Sequence, residues 1–326
     1  MSRGGRRSAP GAGPDVGPDD APRDEPEATR RPIGVFDSGI GGLTVMAALR
    51  RRLPAESILY LGDTARLPYG TKSPETVTRY TRNNLDFLIH RGVKAVVVAC
   101  NTASALALPG LDPELPTWGV IEPGARQAAA VTRGRVGIIA TESTVRSGAY
   151  AAALHRLRGD LQVESRPCPL LVPLVEEGWH DDPVTEEVAR RYLGPLLEAG
   201  IDTLVLGCTH YPLLEPLLSR VVGPEVTLVD SADAAAREVA EELVERGLTR
   251  HGAEGDGSQT LDHHLFVTDT SSGFARFAHR ILGRDDIPLE WVDVRHDGGE
   301  DARDGSDVRR GGTPPAAGHQ PVESPP

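Results

Sequence analysis

Two short stretches hold the residue types most able to do chemistry. "VVVACNTAS" (96–104) and "VLGCTHYP" (205–212) share one plan: an apolar run, a small residue, a cysteine, then a threonine within two positions. The chain has three cysteines in all, so two of them stand in matched surroundings. A free cysteine is commonly a small buried hydrophobe. Matched placement at the ends of apolar runs, with hydroxyl and amide side chains following, argues instead for two working thiols, Cys100 and Cys208. His210 lies two residues beyond Cys208 and can relay a thiol proton. Cys168, in "SRPCPLLVPLVEEG", sits among prolines and leucines and reads as packing.

Other chemistries fit less well. The two cysteines lie far apart in sequence and miss the close ligand pairs of a zinc site, so no metal is expected. Pyridoxal phosphate would need a Schiff-base lysine. The only lysines are Lys72 and Lys94. Lys94 falls at the wrong end of its strand, and nothing around Lys72 suggests a cofactor cradle. No CxxC is present, which disfavours a thiol redox protein. "DSGIGG" (37–42) lacks the Lys-Ser/Thr ending of a P-loop and is not GxGxxG. Its glycines suit a tight strand-to-helix turn, and Asp37 and Ser38 suit either capping or a polar ligand. "YLGDTARLPYGTKSPE" (60–75) is a polar loop that ends in a good helix start, Ser73-Pro74-Glu75, and is long enough to cover a substrate.

The elements that must position these residues alternate. Apolar runs at 33–36, 57–61, 94–99, 117–121, 135–140, 161–166, 202–207, 226–229, 264–268 and 289–293 read as strands. Amphipathic stretches at 43–52, 74–91, 122–132, 184–199, 212–222, 231–246 and 271–282 read as helices. The alternation predicts an α/β fold with mostly parallel sheets, and the number of strands predicts two such units. Ligands of open parallel sheets sit beyond the carboxyl ends of the strands. Three polar turns occupy such ends: "FDSGIGG", "ACNTAS" and "GCTHYP". Residues 1–31 and 296–326 are rich in Gly, Pro and charge and are expected to be disordered tails; "RHGAEGDGSQTLDHH" (250–264) reads as a surface loop. The 326 residues carry a formal charge of −12, which argues against direct binding to nucleic acid or to an anionic membrane. Sparse, odd-numbered cysteines and the lack of a long apolar run point to a reducing cytoplasm.

Taken together, "GVFDSGIGGLTV", "GDTARLPYGTKS", "VVACNTASA", "GVIEPGA" and "LVLGCTHYPLL" resemble, in order, the bacterial glutamate racemases of the aspartate/glutamate racemase family. The resemblance covers roughly residues 32–294. It implies two similar doubly wound α/β domains with the active site in the interdomain cleft. The division expected is 32–122 plus 231–295 for the first domain and 123–230 for the second. It implies a cofactor-independent interconversion of L- and D-glutamate that supplies peptidoglycan synthesis. The matched positions make Cys100 and Cys208 the catalytic thiols. Asp37, His210 and Glu176 assist, with Glu177 an alternative to Glu176. Substrate contacts fall on Asp37, Ser38, Tyr69, Gly70, Asn101, Thr102, Thr209 and His210.

The chemistry gives these residues a purpose. Inverting an α-carbon without a cofactor means removing a proton from one face and returning one to the other. One base cannot reach both faces, so two thiols must flank the carbon. Asp37 is expected to serve Cys100, and His210 with Glu176 to serve Cys208. Amide and hydroxyl donors at the three turns stabilise the carbanion-like transition state. Two other readings stay open: a racemase of aspartate or another amino acid, and a protein that binds and inhibits DNA gyrase. Glutamate is the expected small-molecule partner, and a homodimer is kept open.

Overall fold

The computed structural model describes residues 26–250, 261–270, 272–284 and 286–294. Both tails, apart from 26–31, and most of the 250–264 loop lie outside the described residues.

Among the described residues ten strands build two sheets. The first has the order β10-β9-β2-β1-β3-β4, from β1 (Ile33–Asp37), β2 (Ile58–Gly62), β3 (Ala95–Val98), β4 (Thr117–Gly119), β9 (His264–Val267) and β10 (Leu289–Trp291). The second has the order β6-β5-β7-β8, from β5 (Arg135–Ala140), β6 (Gln162–Pro167), β7 (Thr203–Gly207) and β8 (Thr227–Asp230). Every strand pairing is parallel. Helices cover the sheet faces, so β1, β3 and β7 are buried along their whole length and read as continuous apolar runs. The edge strand β10 is exposed throughout.

The two sheets repeat one plan. The order β2-β1-β3-β4 in the first matches β6-β5-β7-β8 in the second. In each, the strand order reverses between the first strand and the third, and the crevice at such a reversal is where ligands bind. Asp37 closes β1 and Cys100 follows β3; Thr141 follows β5 and Cys208 follows β7.

Local sequence explains the helix starts. Ser73 Oγ accepts from the Thr76 amide at 3.3 Å and Pro74 holds the first helical position of Pro74–His90. Asp182 and Asp230 cap Pro183–Glu198 and Ser231–Glu245 by accepting from the Val184 and Ala232 amides. The helices Asn101–Leu106, Glu142–Ser147, Ala149–Leu157 and Leu171–Glu176 are absent from those expected from periodicity. One expectation needs correction: the N-terminal segment is ordered before residue 32. Glu27–Arg30 forms a helical turn with Thr29 buried. The reason lies at Lys94, whose Nζ donates to the Thr29 carbonyl at 2.7 Å and to Glu56 Oε2 at 2.6 Å. A buried ammonium must be hydrogen-bonded, and this turn provides an acceptor.

Candidate active site

The three polar turns and the 60–75 loop converge on one small cavity of about 40 Å³. Its lining includes Ser38, Tyr69, Gly70, Asn101 and Thr102 from the first half, and Glu176, Cys208, Thr209 and His210 from the second. Cys100 lines it as well, and each of the two cysteines is 5% exposed. Asp37 is fully buried and lies outside the lining, and Glu177 is exposed on the surface.

Parallel-sheet geometry sets the thiols in place. Cys100 lies two residues beyond β3 and is the N-cap of Asn101–Leu106. Its Sγ donates to Ser38 Oγ at 3.6 Å. Burial pushes the Cys100 thiol up to about 12, the Asp37 charge adds to this, and the Ala103 amide and the Ser38 hydroxyl offset only part. Asp37 therefore acts on Cys100 through its charge, while its oxygens are held elsewhere. Oδ2 accepts from the Gly39 amide at 3.0 Å, and Oδ1 accepts from Thr209 Oγ1 at 3.4 Å. Burial raises the Asp37 carboxyl, against the opposing pull of His210 and of the Gly39, Gly42 and Ser38 amides.

On the other side, Cys208 Sγ lies 3.8 Å from His210 Nδ1, and His210 Nε2 lies 3.0 Å from Glu176 Oε1. Glu176, not Glu177, is the carboxylate that meets the histidine. Burial disfavours the imidazolium, yet the hydrogen bonds and charges of Cys208 and Glu176 outweigh it and push His210 up to about 10. The result is a Cys208–His210–Glu176 chain, reaching from the cavity to a partly exposed carboxylate.

Tyr69 and Gly70 are fixed from behind. Tyr69 OH donates to Asp63 and accepts from Asn84 Nδ2 at 3.0 Å; Asp63 also pairs with Arg66 at 2.7 Å. The Gly70 carbonyl accepts from Ser143 Oγ at 2.7 Å, which ties the loop to the second half. Close approach explains two glycines. A Cβ on Gly41 would collide with Thr209 Oγ1 and lie 2.6 Å from His210 Nδ1, and one on Gly70 would lie 2.7 Å from Thr141 Cβ.

A fourth turn escaped the sequence reading. Thr141, at the end of β5, lines the cavity and shares a triangle of hydroxyls with Thr102 and Thr144 at 2.9–3.1 Å. "ATEST" after an apolar run carried the signal: Thr141 is a helix N-cap, its Oγ1 accepting from the Thr144 amide. Tyr150, whose OH donates to Asn101 Oδ1 at 2.7 Å, carried no local signal.

Known proteins resemble this chain over most of its length. The Asp/Glu/hydantoin racemase family matches residues 33–239. The glutamate racemase of Geobacter metallireducens is 56% identical over 256 residues, which is 78% of this chain and 93% of that protein. A glutamate racemase isoform of Bacillus anthracis superimposes with a TM-score of 0.75 at 40% identity, covering 82% of this chain and 98% of that one. The Francisella tularensis glutamate racemase, solved in complex with D-glutamate, gives 0.75 at 36% identity with the same coverage.

Proposed function

The chain belongs to the Asp/Glu/hydantoin racemase family, and from that premise we propose that it interconverts L- and D-glutamate by a two-base mechanism. The observation that carries the reading is the single cavity lined by both Cys100 and Cys208, one thiol from each sheet. One sulfur takes the α-proton as thiolate while the other gives a proton to the opposite face as thiol. Reversing the direction exchanges the roles.

The neighbours divide the remaining work. His210 receives or returns the Cys208 proton, and the Glu176 carboxylate stabilises the imidazolium. Asp37, buried beside Cys100, holds the thiol neutral until substrate arrives; the substrate ammonium then offsets the carboxylate's field and favours thiolate. Ser38, Asn101, Thr102, Thr209 and the Tyr69–Gly70 backbone surround the carboxylates, where fixed donors oppose the charge that develops on the α-carbon. The division expected at 122/123 falls within the helix Ile121–Val131, which packs on β7 and on Ser231–Glu245.

The product would supply peptidoglycan synthesis in the cytoplasm. No helix among the described residues is long and apolar enough to cross a membrane. A homodimer is read by sedimentation of the pure protein, and gyrase inhibition by a supercoiling assay with the C100S/C208S variant. The substrate is tested by chiral chromatography after incubation with L-glutamate or L-aspartate. D-glutamate is expected to form, and aspartate to turn over far more slowly. Faster turnover of aspartate, or none of either by folded protein, would sink the assignment.

A further inference from the structure

Asn101 follows Cys100 directly and opens the helix Asn101–Leu106. Its two amide ends have different fates. Oδ1 accepts a hydrogen bond from Tyr150 OH at 2.7 Å. Nδ2 is buried with no hydrogen-bond partner, and Asn101 lines the cavity between the two cysteines. An unmet buried donor costs free energy, and sites that bind ligands are where such donors persist. The amide atom left for a molecule in the cavity is therefore a donor.

Tyr150 comes from the opposite half of the molecule, on the helix Ala149–Leu157 against the second sheet. It is 2% exposed. Its ring is confined by two glycines. A Cβ on Gly207 would lie 3.1 Å from the ring's Cε2, and one on Gly124 would lie 3.3 Å from its OH. Burial pushes the phenol well above its ordinary pKa, so the OH remains a donor.

We propose that Tyr150 is a positioning residue for the racemisation: it holds the Asn101 amide with Nδ2 facing the bound amino acid, as a donor to its carboxylate. A flipped amide would set Oδ1, an acceptor, against that anion. It would also deprive the phenol proton of its Asn101 acceptor. The contact joins the two halves, so the donor is set only when they are together. This inference rests on the reading that the site takes glutamate.

A double-mutant cycle tests it. kcat/KM for glutamate is measured in wild type, Y150F, N101A and the double variant. Y150F keeps the ring and is expected to lose about tenfold. In the N101A background the same change is expected to cost nothing further, because Tyr150 acts through Asn101. An equal loss in both backgrounds, or no loss in wild type, overturns the proposal. Should Y150F fail to fold, the wild type decides. The Asn101 side-chain ¹⁵N signal, assigned by its loss in N101A, is expected to shift when D-glutamate is added, and an unmoved signal overturns the proposal. A folded wild type that leaves glutamate unchanged overturns the functional reading and this inference together. An active wild type with an additive cycle overturns this inference alone.

Discussion

His210 has a partner at each ring nitrogen, Cys208 at Nδ1 and Glu176 at Nε2. Its folded pKa of about 10 stands above the ordinary 6.5. The folded state therefore holds this proton more tightly than the unfolded chain does. That contribution is fully present below pH 6.5 and is lost as pH rises toward 10. The Tm advantage of wild type over H210N is expected to shrink across this window in a thermal melt series. A constant or widening gap would contradict it. At this scale the thiols, the histidine and the donor residues were legible, because their side-chain chemistry is local. The choice between Glu176 and Glu177 was not. Adjacent residues on a helix end point about 100° apart, and only packing of Leu171–Glu176 decides which one meets His210. Tyr150 was equally hidden, since its partner lies across the molecule at Asn101.

Each element ends where its chemistry is needed. β1, β3, β5 and β7 stop at Asp37, before Cys100, before Thr141 and before Cys208. The following turns approach one another so closely that Gly41 touches the Thr209–His210 turn of the other half. Thr44 Oγ1, on the helix Leu43–Arg52, donates to the Thr209 carbonyl at 3.1 Å and fixes the same contact. Gly41→Ala is expected to cost about 1–3 kcal/mol through overpacking and to lower kcat/KM at least about tenfold, since the displaced atoms belong to the site. Gly110→Ala is the control: a Cβ there meets nothing within 4 Å, and its effect is expected within about 0.5 kcal/mol. Denaturant titration and steady-state kinetics check both, and an active, fully stable G41A would contradict the close-approach argument. The central strands β1, β3 and β7 were readable because parallel strands buried on two faces show as apolar runs. Asn101–Leu106 and Glu142–Ser147 were not, since six residues are too few to establish a helical period. Gly148, at φ 66°, also breaks the 142–157 stretch into two helices.

Across the whole molecule, two sheets of matched strand order each bring one thiol to a shared cavity. The paired motifs around Cys100 and Cys208 hinted at this repeat, but the facing of the two crevices comes from long-range contacts that no local pattern encodes. Thr102 against Thr141, Ser143 against Gly70 and Thr209 against Asp37 are such contacts. Two bases on opposite faces have an isotopic consequence that one base lacks. A proton abstracted by one sulfur is not the proton returned by the other. The central claim is tested by running the reaction from L-glutamate in heavy water and sampling both isomers over the first few per cent of conversion. The D-glutamate formed is expected to carry deuterium at the α-carbon while the remaining L-glutamate keeps its protium. D-glutamate that retains the original proton, or L-glutamate that exchanges before it inverts, would contradict the two-thiol account.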